Sequence, residues 1–423
     1  MGSRGSTRTA CVGRGGTRPP RGAPPGNRGG TPPSQDADEG TGDLSCHFHT
    51  LSSPHSILSL TNDGAAGKVC SLARAGQCMG GELFLGLGLC TPVGISAQTS
   101  LASMRAGVVR FSETEVLDGT GEPVRASRLQ LLEPSLSRTD RMIALGREAL
   151  LEVTGFFSEE GMKPVPLYLG LPEAGVGAAV KRDELIKALL AVARGRLELA
   201  GMYEGGRAGF FEALVAAQTD LRTGRSGPVA LVGAVDSLCD GMSLRALAAK
   251  QLHLGALNPD GRIPGEAAGF VLVARPAAAR TSSREALGVL LATALGEESR
   301  PFARAVPSMA EGLTQVFRQL RGAPAMGSQR VDSVLACQPG ESFWSTEFSR
   351  AYLRNAALMP EPLRFQVAGE GLGDCGGGAG PVMLGAALFP SARQQREASR
   401  ALLYGSADGG RIGACVVGTS PVS

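Results

Sequence analysis

The chain is poor in the residues that most often carry special chemistry. Aromatic residues fill 4% of its 423 positions, with one tryptophan, and there are four histidines. Three of these, His47, His49 and His55, lie near the N-terminus, so His253 is the only histidine after Met79. Neither sign of charge is in excess: 42 Lys and Arg oppose 39 Asp and Glu, for a net charge of +3, which gives no support to a nucleic-acid partner. No apolar run approaches the roughly 20 residues needed to cross a bilayer, and the N-terminus lacks the apolar segment of a signal peptide. A cytoplasmic protein without a membrane partner is therefore expected. The nine cysteines show no C-x-x-C spacing, so neither a zinc site nor a disulfide framework is indicated. No metal and no cofactor are expected.

What is present is 43% hydrophobic residues, enough for one large or two medium domains. Residues 1 to about 45 are rich in Gly, Pro, Arg and Ser and nearly empty of large apolar side chains, which predicts disorder. Cys46, His47 and His49 could bind a metal, but no second ligand cluster accompanies them. Residues 1–78 are read as a disordered extension, or as sequence upstream of a true start near Met79.

From Glu82 the pattern alternates strand and helix. Strands are predicted at Val165–Gly170, Val229–Val232, Phe270–Ala274, Leu287–Thr293, Val331–Cys337, Leu363–Ala368 and Arg411–Gly418. Helices are predicted at Thr139–Val153, Asp183–Leu199, Phe210–Leu221, Met242–Leu252, Met309–Leu320 and onward from Val382. Such alternation implies right-handed crossovers and mostly parallel sheets.

The densest stretch is Gly227 to Arg275, in which a strand ends in Gly233-Ala234-Val235-Asp236-Ser237. A helix follows, and then Asp260-Gly261-Arg262-Ile263-Pro264-Gly265-Glu266-Ala267-Ala268-Gly269 leads into a second strand. This run resembles the "GGVDS" turn and the "dGfipGEaaGfvLl" pattern of the β-ketoacyl-[acyl carrier protein] synthases, and the chain from about Met79 onward follows that family in order. The resemblance implies an α/β, thiolase-like duplicated fold, layered α-β-α-β-α, with two mixed, mostly parallel sheets. Its N-terminal half would span 79–280 and its C-terminal half 281–423.

The family condenses acyl thioesters with a cysteine nucleophile at a strand-to-helix turn, two histidines and a lysine. Carried onto this sequence, the nucleophile position falls at or within one residue of Arg207, in Gly206-Arg207-Ala208-Gly209. Pro339 stands for the first histidine, Asp374 for the second and Gly369 for the lysine, while the closing loop Ala407-Asp408-Gly409-Gly410 keeps its glycine pair and loses the phenylalanine gate. With His253 the sole histidine of this region, a Cys-His-His site cannot be assembled, and no intact catalytic residue is expected. Arg207 needs an acid or an anion beside it; Asp374 and Glu341 are candidates, as is a bound phosphate or carboxylate. Cys375 and Cys337 are the candidates for a displaced nucleophile, and Glu266 and His253 are read as structural.

The resemblance therefore implies a subunit of fatty-acid or polyketide type metabolism that is inactive in condensation and resembles a chain-length factor or scaffold. Its partner would be a second copy or an active condensing enzyme, with an acyl carrier protein as a further possibility. Two alternatives stay open: an active acyltransferase or 3-oxoacyl synthase using Cys375 or Cys337, and an acyl- or carrier-binding module.

Overall fold

A computed structural model describes residues 81–157, 163–281, 285–389 and 398–419. The extension over residues 1–78, with Cys46, His47 and His49, lies outside the described residues.

The first half comprises β1 (Leu83–Cys90), α1 (Ala97–Arg105), a hairpin of β2 (Phe111–Leu117) and β3 (Pro123–Ser127), α2 (Arg138–Thr154), β4 (Val165–Gly170) and α3 (Arg182–Val192). It continues with β5 (Leu197–Tyr203), α4 (Gly209–Thr223), β6 (Val229–Ser237), α5 (Gly241–Ala249) and β7 (Glu266–Ala274). After the connecting helix α6 (Pro276–Thr281), the second half contains β8 (Gly288–Glu297), α7 (Glu311–Arg321), β9 (Ser333–Ala336), α8 (Ser342–Arg354) and β10 (Phe365–Val367). It closes with α9 (Gly369–Leu372), α10 (Ala379–Leu388), β11 (Ser399–Ser406) and β12 (Arg411–Thr419).

The strand order is β10-β9-β11-β12-β8-β1-β7-β6-β4-β5. Apart from the hairpin, each half thus places its strands in the same spatial order: third, second, fourth, fifth, first. β4 pairs in parallel with β5 and β6, and β7 is antiparallel to β6 and β1. The second half repeats this, with β9 parallel to β10 and β11, and β12 antiparallel to β11 and β8. Four strands of each half therefore point one way and one runs against them. The five strands of each half are continuous in one ten-stranded sheet, joined where Leu83 pairs with Val289 and Phe84 with Gly288, so the two sheets expected from the sequence are two halves of one.

Burial explains the layering. Helices α4 and α10 share one core with both sheets, in which Phe210, Phe211 and Leu214 of α4 and Val382 and Leu384 of α10 meet Val232, Val271, Leu403 and Val417. A helix buried on this many sides needs apolar residues around its circumference, and α10, Ala379–Leu388, carries no charged side chain. On the outer faces, α2 and α3 cover the first sheet and α7 and α8 the second, through residues such as Leu145, Leu189, Phe317 and Phe348. The result is the five-layered α-β-α-β-α arrangement.

Several boundaries differ from the sequence reading by a few residues, three of them for a clear local reason. The helix expected over Asp183–Leu199 stops at Val192, because Arg194 and Gly195 are left-handed, with φ of 49° and 82°, and Leu197 begins β5. The strand expected to end at Val232 runs on to Ser237. Gly233 is an interior strand residue there, since a Cβ would lie 2.1 Å from the Phe270 ring. The helix expected to reach Leu252 ends at Ala249, so His253 sits in the connection to β7 and pairs in a short bridge with Arg262.

Candidate functional site

Two tight turns face each other at the centre of the molecule. Gly206–Ala208 forms a 3-10 turn that leads into α4, and Gly376–Gly378 forms the corresponding turn before α10. Each begins with a left-handed glycine, Gly206 at φ 53° and Gly376 at φ 51°, a conformation that a side chain would strain. The approach is close: a Cβ on Gly377 would lie 3.2 Å from the Gly206 carbonyl oxygen. Asp236 at the end of β6 pins the second turn, accepting from the Gly377 amide at 3.0 Å and from Arg138 at 2.8 Å.

Arg207 extends from the first turn and is 3% exposed. Its guanidinium donates to both oxygens of Asp374 at 3.2 and 3.1 Å, to Asp408, and through Nε to the Ser406 carbonyl at 2.9 Å. Arg262, wholly buried, lies beside it. It donates to Asp374 at 2.9 Å, to the two oxygens of Asp408 at 3.0 and 3.3 Å, and to Glu341. Both cations come from the first half and all three carboxylates from the second.

Aromatic rings close the cluster. The Arg207 guanidinium lies 4.7 Å from the Trp344 ring centroid and that of Arg262 lies 5.0 Å from Phe302, while Phe302 stacks on Trp344 at 5.3 Å. The Trp344 indole donates to Glu341 at 3.1 Å, and Phe343 packs edge-on against both rings. Such stacking suits a weakly hydrated guanidinium.

These contacts set the protonation states. Burial works against the charge of Arg207 and Arg262, yet Asp374 and Asp408 outweigh it and raise both above the usual arginine range. Burial alone would raise Asp408, but the two guanidinium groups hold it down at about 2. Burial pushes Glu341 up, opposed by Arg262. Every nitrogen of both guanidinium groups donates to a protein oxygen, so both cations are neutralised from within the cluster.

The structure brings together Arg207, Asp374 and Glu341. Pro339 and Gly369 meet next to them: a Cβ on Gly369 would lie 2.8 Å from the Gln338 carbonyl oxygen and 3.0 Å from Pro339 Cα, so no side chain fits there. Cys375 is buried with its Sγ 3.4 Å from the Leu372 carbonyl, and burial raises its thiol far above the ordinary range. Burial likewise raises Cys337, only partly offset by Arg207. Glu266 is bound by Arg141 at 2.8 and 2.7 Å and by the Leu129 amide at 2.7 Å. The His253 ring contacts Asp118 at 3.2 Å and no side chain of this cluster, although its backbone bridges to that of Arg262.

Sequence reasoning missed Arg262, Asp408, Trp344 and Phe302. A signal existed for two of them, because Arg262 stands where the "dGfip" pattern has an aromatic residue and Asp408 lies in the loop that loses its phenylalanine. A new cation and a new anion in one pocket form a complementary pair.

No protein-family model matches the sequence, and no curated protein matches it. Solved structures do. The ishigamide ketosynthase/chain length factor superposes with a TM-score of 0.62 at 17% identity, covering 80% of this chain and 99% of that one. The oxazolomycin ketosynthase domain of Streptomyces albus JA3453 gives 0.64 at 14% identity, covering 81% of this chain and 75% of the other. AntDE:AntF, a type II PKS acyl-carrier protein in complex with its ketosynthase, gives 0.63 at 12% identity, over 81% and 99%. The chain has the thiolase-like fold of the ketosynthases.

Proposed function

We propose that this chain is a ketosynthase-like subunit that does not condense acyl thioesters and serves a condensing partner in the manner of a chain-length factor or scaffold. The observation that carries this reading is Arg207 at the head of α4, neutralised by Asp374 and Asp408 and stacked on Trp344. A nucleophile at that turn would need a thiolate with an adjacent base. Here the turn holds a cation, and its neighbours are carboxylates and rings. The pathway would be of fatty-acid or polyketide type, with residues 79–280 and 281–423 as the two halves.

Pairing with a second copy or with an active condensing enzyme would use β5, the outermost strand of the first sheet. Its one charged residue is Glu198, and Met202 is 44% exposed. An edge of this kind offers unpaired backbone groups to another strand. An acyl carrier protein is the further partner this reading includes, on the ground that AntDE:AntF shows a carrier with its ketosynthase. The displaced-nucleophile reading draws on Cys375 and Cys337, and the burial of both, with Cys375 against the Glu266 and Leu372 carbonyls, argues against it.

The test is to supply the full chain alone with an acyl thioester and a malonyl thioester and to measure carbon dioxide release and product. Neither is expected. Decarboxylation or condensation by the chain alone would overturn the reading.

A further inference from the structure

On the outer face of the first half, α2 and α3 leave a groove of about 510 Å³ beside their contact. Packing explains it. Gly146 of α2 lies against Leu189 of α3, where a Cβ would come 2.6 Å from that side chain, so the two helices approach closely. Next to this contact α2 presents Ile143, Arg147 and Leu151 at intervals of four, which sets them in one row. α3 answers with Ala188 and Ala191, whose side chains are too short to fill the space. Beyond Val192 the chain turns through Arg194 and Gly195, both left-handed, and Arg196 leads into β5. That turn brings two more arginines to the groove. Arg194 holds a conformation that favours glycine, and Arg196 lies 5.6 Å from the Phe157 ring centroid with its Nε donating to the Ala193 carbonyl at 3.3 Å.

The lining is one-sided in charge, with three arginines and no acid. Among the described residues Arg147 and Arg194 make no hydrogen bond or ion pair, whereas the exposed Arg182, Arg225 and Arg330 pair with Glu204, Asp220 and Glu361. Glu152, next to Leu151 in sequence, is taken by the Leu89 and Ala97 amides at 3.0 and 2.8 Å. The C-termini of α2 and α3 supply roughly half a negative charge each, which leaves most of the three positive charges without a counterpart. Apart from Thr154 the rest of the wall is apolar, and Leu151 is 47% exposed. An anion with an apolar body fits such a surface. Size selects a small one, because the volume falls in the roughly 300–1,000 Å³ range of small-molecule sites. A docked protein would cover about 20–30 residues a side, and nine line this groove. Guanidinium groups match the oxygens of a phosphate in pairs, and a bare inorganic ion would leave Leu151 and the alanines in water.

We propose that this groove binds one molecule of a phosphate-headed amphiphile, with the phosphate on Arg147, Arg194 and Arg196 and the aliphatic chain along Leu151, Ala188 and Ala191. The site shares no residue with the Arg207 cluster and stands independently of whether the chain condenses acyl thioesters.

The experiment is isothermal titration calorimetry of the full chain with dodecyl phosphate below its critical micelle concentration. Saturable binding of one molecule per chain is expected, with inorganic phosphate weaker by about tenfold or more because it buries no chain. Arg147→Gln with Arg194→Gln should weaken dodecyl phosphate by about tenfold or more and leave Tm without ligand unchanged, both side chains being exposed and unpaired. Ala191→Phe, an exposed position on α3, keeps the arginines and fills the groove. It should reduce the affinity for dodecyl phosphate to that for inorganic phosphate. Unchanged affinity in the double arginine variant, or equal binding of dodecyltrimethylammonium, would overturn the proposal in favour of detergent adsorption. Sedimentation with phosphatidate vesicles separates the two sources of such a headgroup. Capture by vesicles without binding of monomeric dodecyl phosphate would also overturn the proposal, in favour of a membrane surface.

Discussion

Arg207 of the first half and Asp374 of the second meet in a two-pronged contact, with one guanidinium nitrogen 3.2 and 3.1 Å from the two carboxylate oxygens, both residues being buried. Together with Arg262, Asp408 and Glu341 this pair ties the two halves at the turn that leads into α4.

Removing one member leaves buried charge uncompensated, which typically costs about 3–5 kcal/mol, whereas replacing a pair by apolar groups of similar size can be nearly neutral. Arg207→Met is therefore expected to lower unfolding free energy by about that amount, and Arg207→Met with Asp374→Leu to recover a large share of it. Urea unfolding of the two variants checks this. A loss below about 1 kcal/mol for the single variant would mean that the cluster is open to solvent.

Acid and base sides of the stability profile should have different owners. Asp408 is held at about 2 in the fold, below the ordinary value of about 3.9. Its contribution is then complete above about pH 4 and is lost as pH falls through about 2. Glu347 behaves oppositely: burial raises it to about 7, with Glu298 adding to the rise and Ser406 and Ser308 opposing it. Its contribution is complete below about pH 4 and is lost as pH rises through about 7. Stability of Glu347→Gln relative to the unsubstituted chain should accordingly increase between pH 5 and pH 8. A flat difference across that window would contradict the assignment.

All five cysteines of the described residues are buried and free. Burial pushes Cys90 up to about 12, with Glu148 and Glu266 adding to it, and raises Cys239, Cys337, Cys375 and Cys415 as well. Thiols in this state react slowly, because the thiolate is the nucleophile. Alkylation of the native chain followed by peptide mapping should leave Cys337 and Cys375 unmodified until denaturant is added. Rapid native alkylation of either would reopen the displaced-nucleophile reading.

Self-pairing through β5 predicts that Met202→Lys, which places a charge near the C-terminal end of that edge, converts a dimer into a monomer in sedimentation with little change in Tm. An unchanged oligomer would remove β5 from the account.

Much of this architecture was legible in the chain because strand periodicity and glycine turns report on backbone geometry. β4 was read at its observed bounds, and α2 and α4 to within about two residues, since their apolar faces recur at helical spacing. Elements that rely on tertiary contact escaped. β11, Ser399–Ser406, has polar ends and no turn residue to mark its start, and α8, Ser342–Arg354, takes its place from the packing of Trp344 and Phe348. The same divide holds at the site. Arg207 and Asp374 could be found because glycines with fixed spacing flank them, but Arg262 and Asp408 gain their meaning from partners 112 and 201 residues away, Asp374 and Arg207 respectively.

The central claim is that no group in the ketosynthase-like fold of this chain takes an acyl group from a thioester. Its most direct measurement is intact-mass and peptide-mapped analysis of the full chain after incubation with a reactive acyl thioester, with Cys337→Ser and Cys375→Ser variants in parallel. The account predicts no acyl adduct on any residue after Met79. An adduct on Cys337 or Cys375 that disappears with the matching serine variant would contradict it and identify the nucleophile.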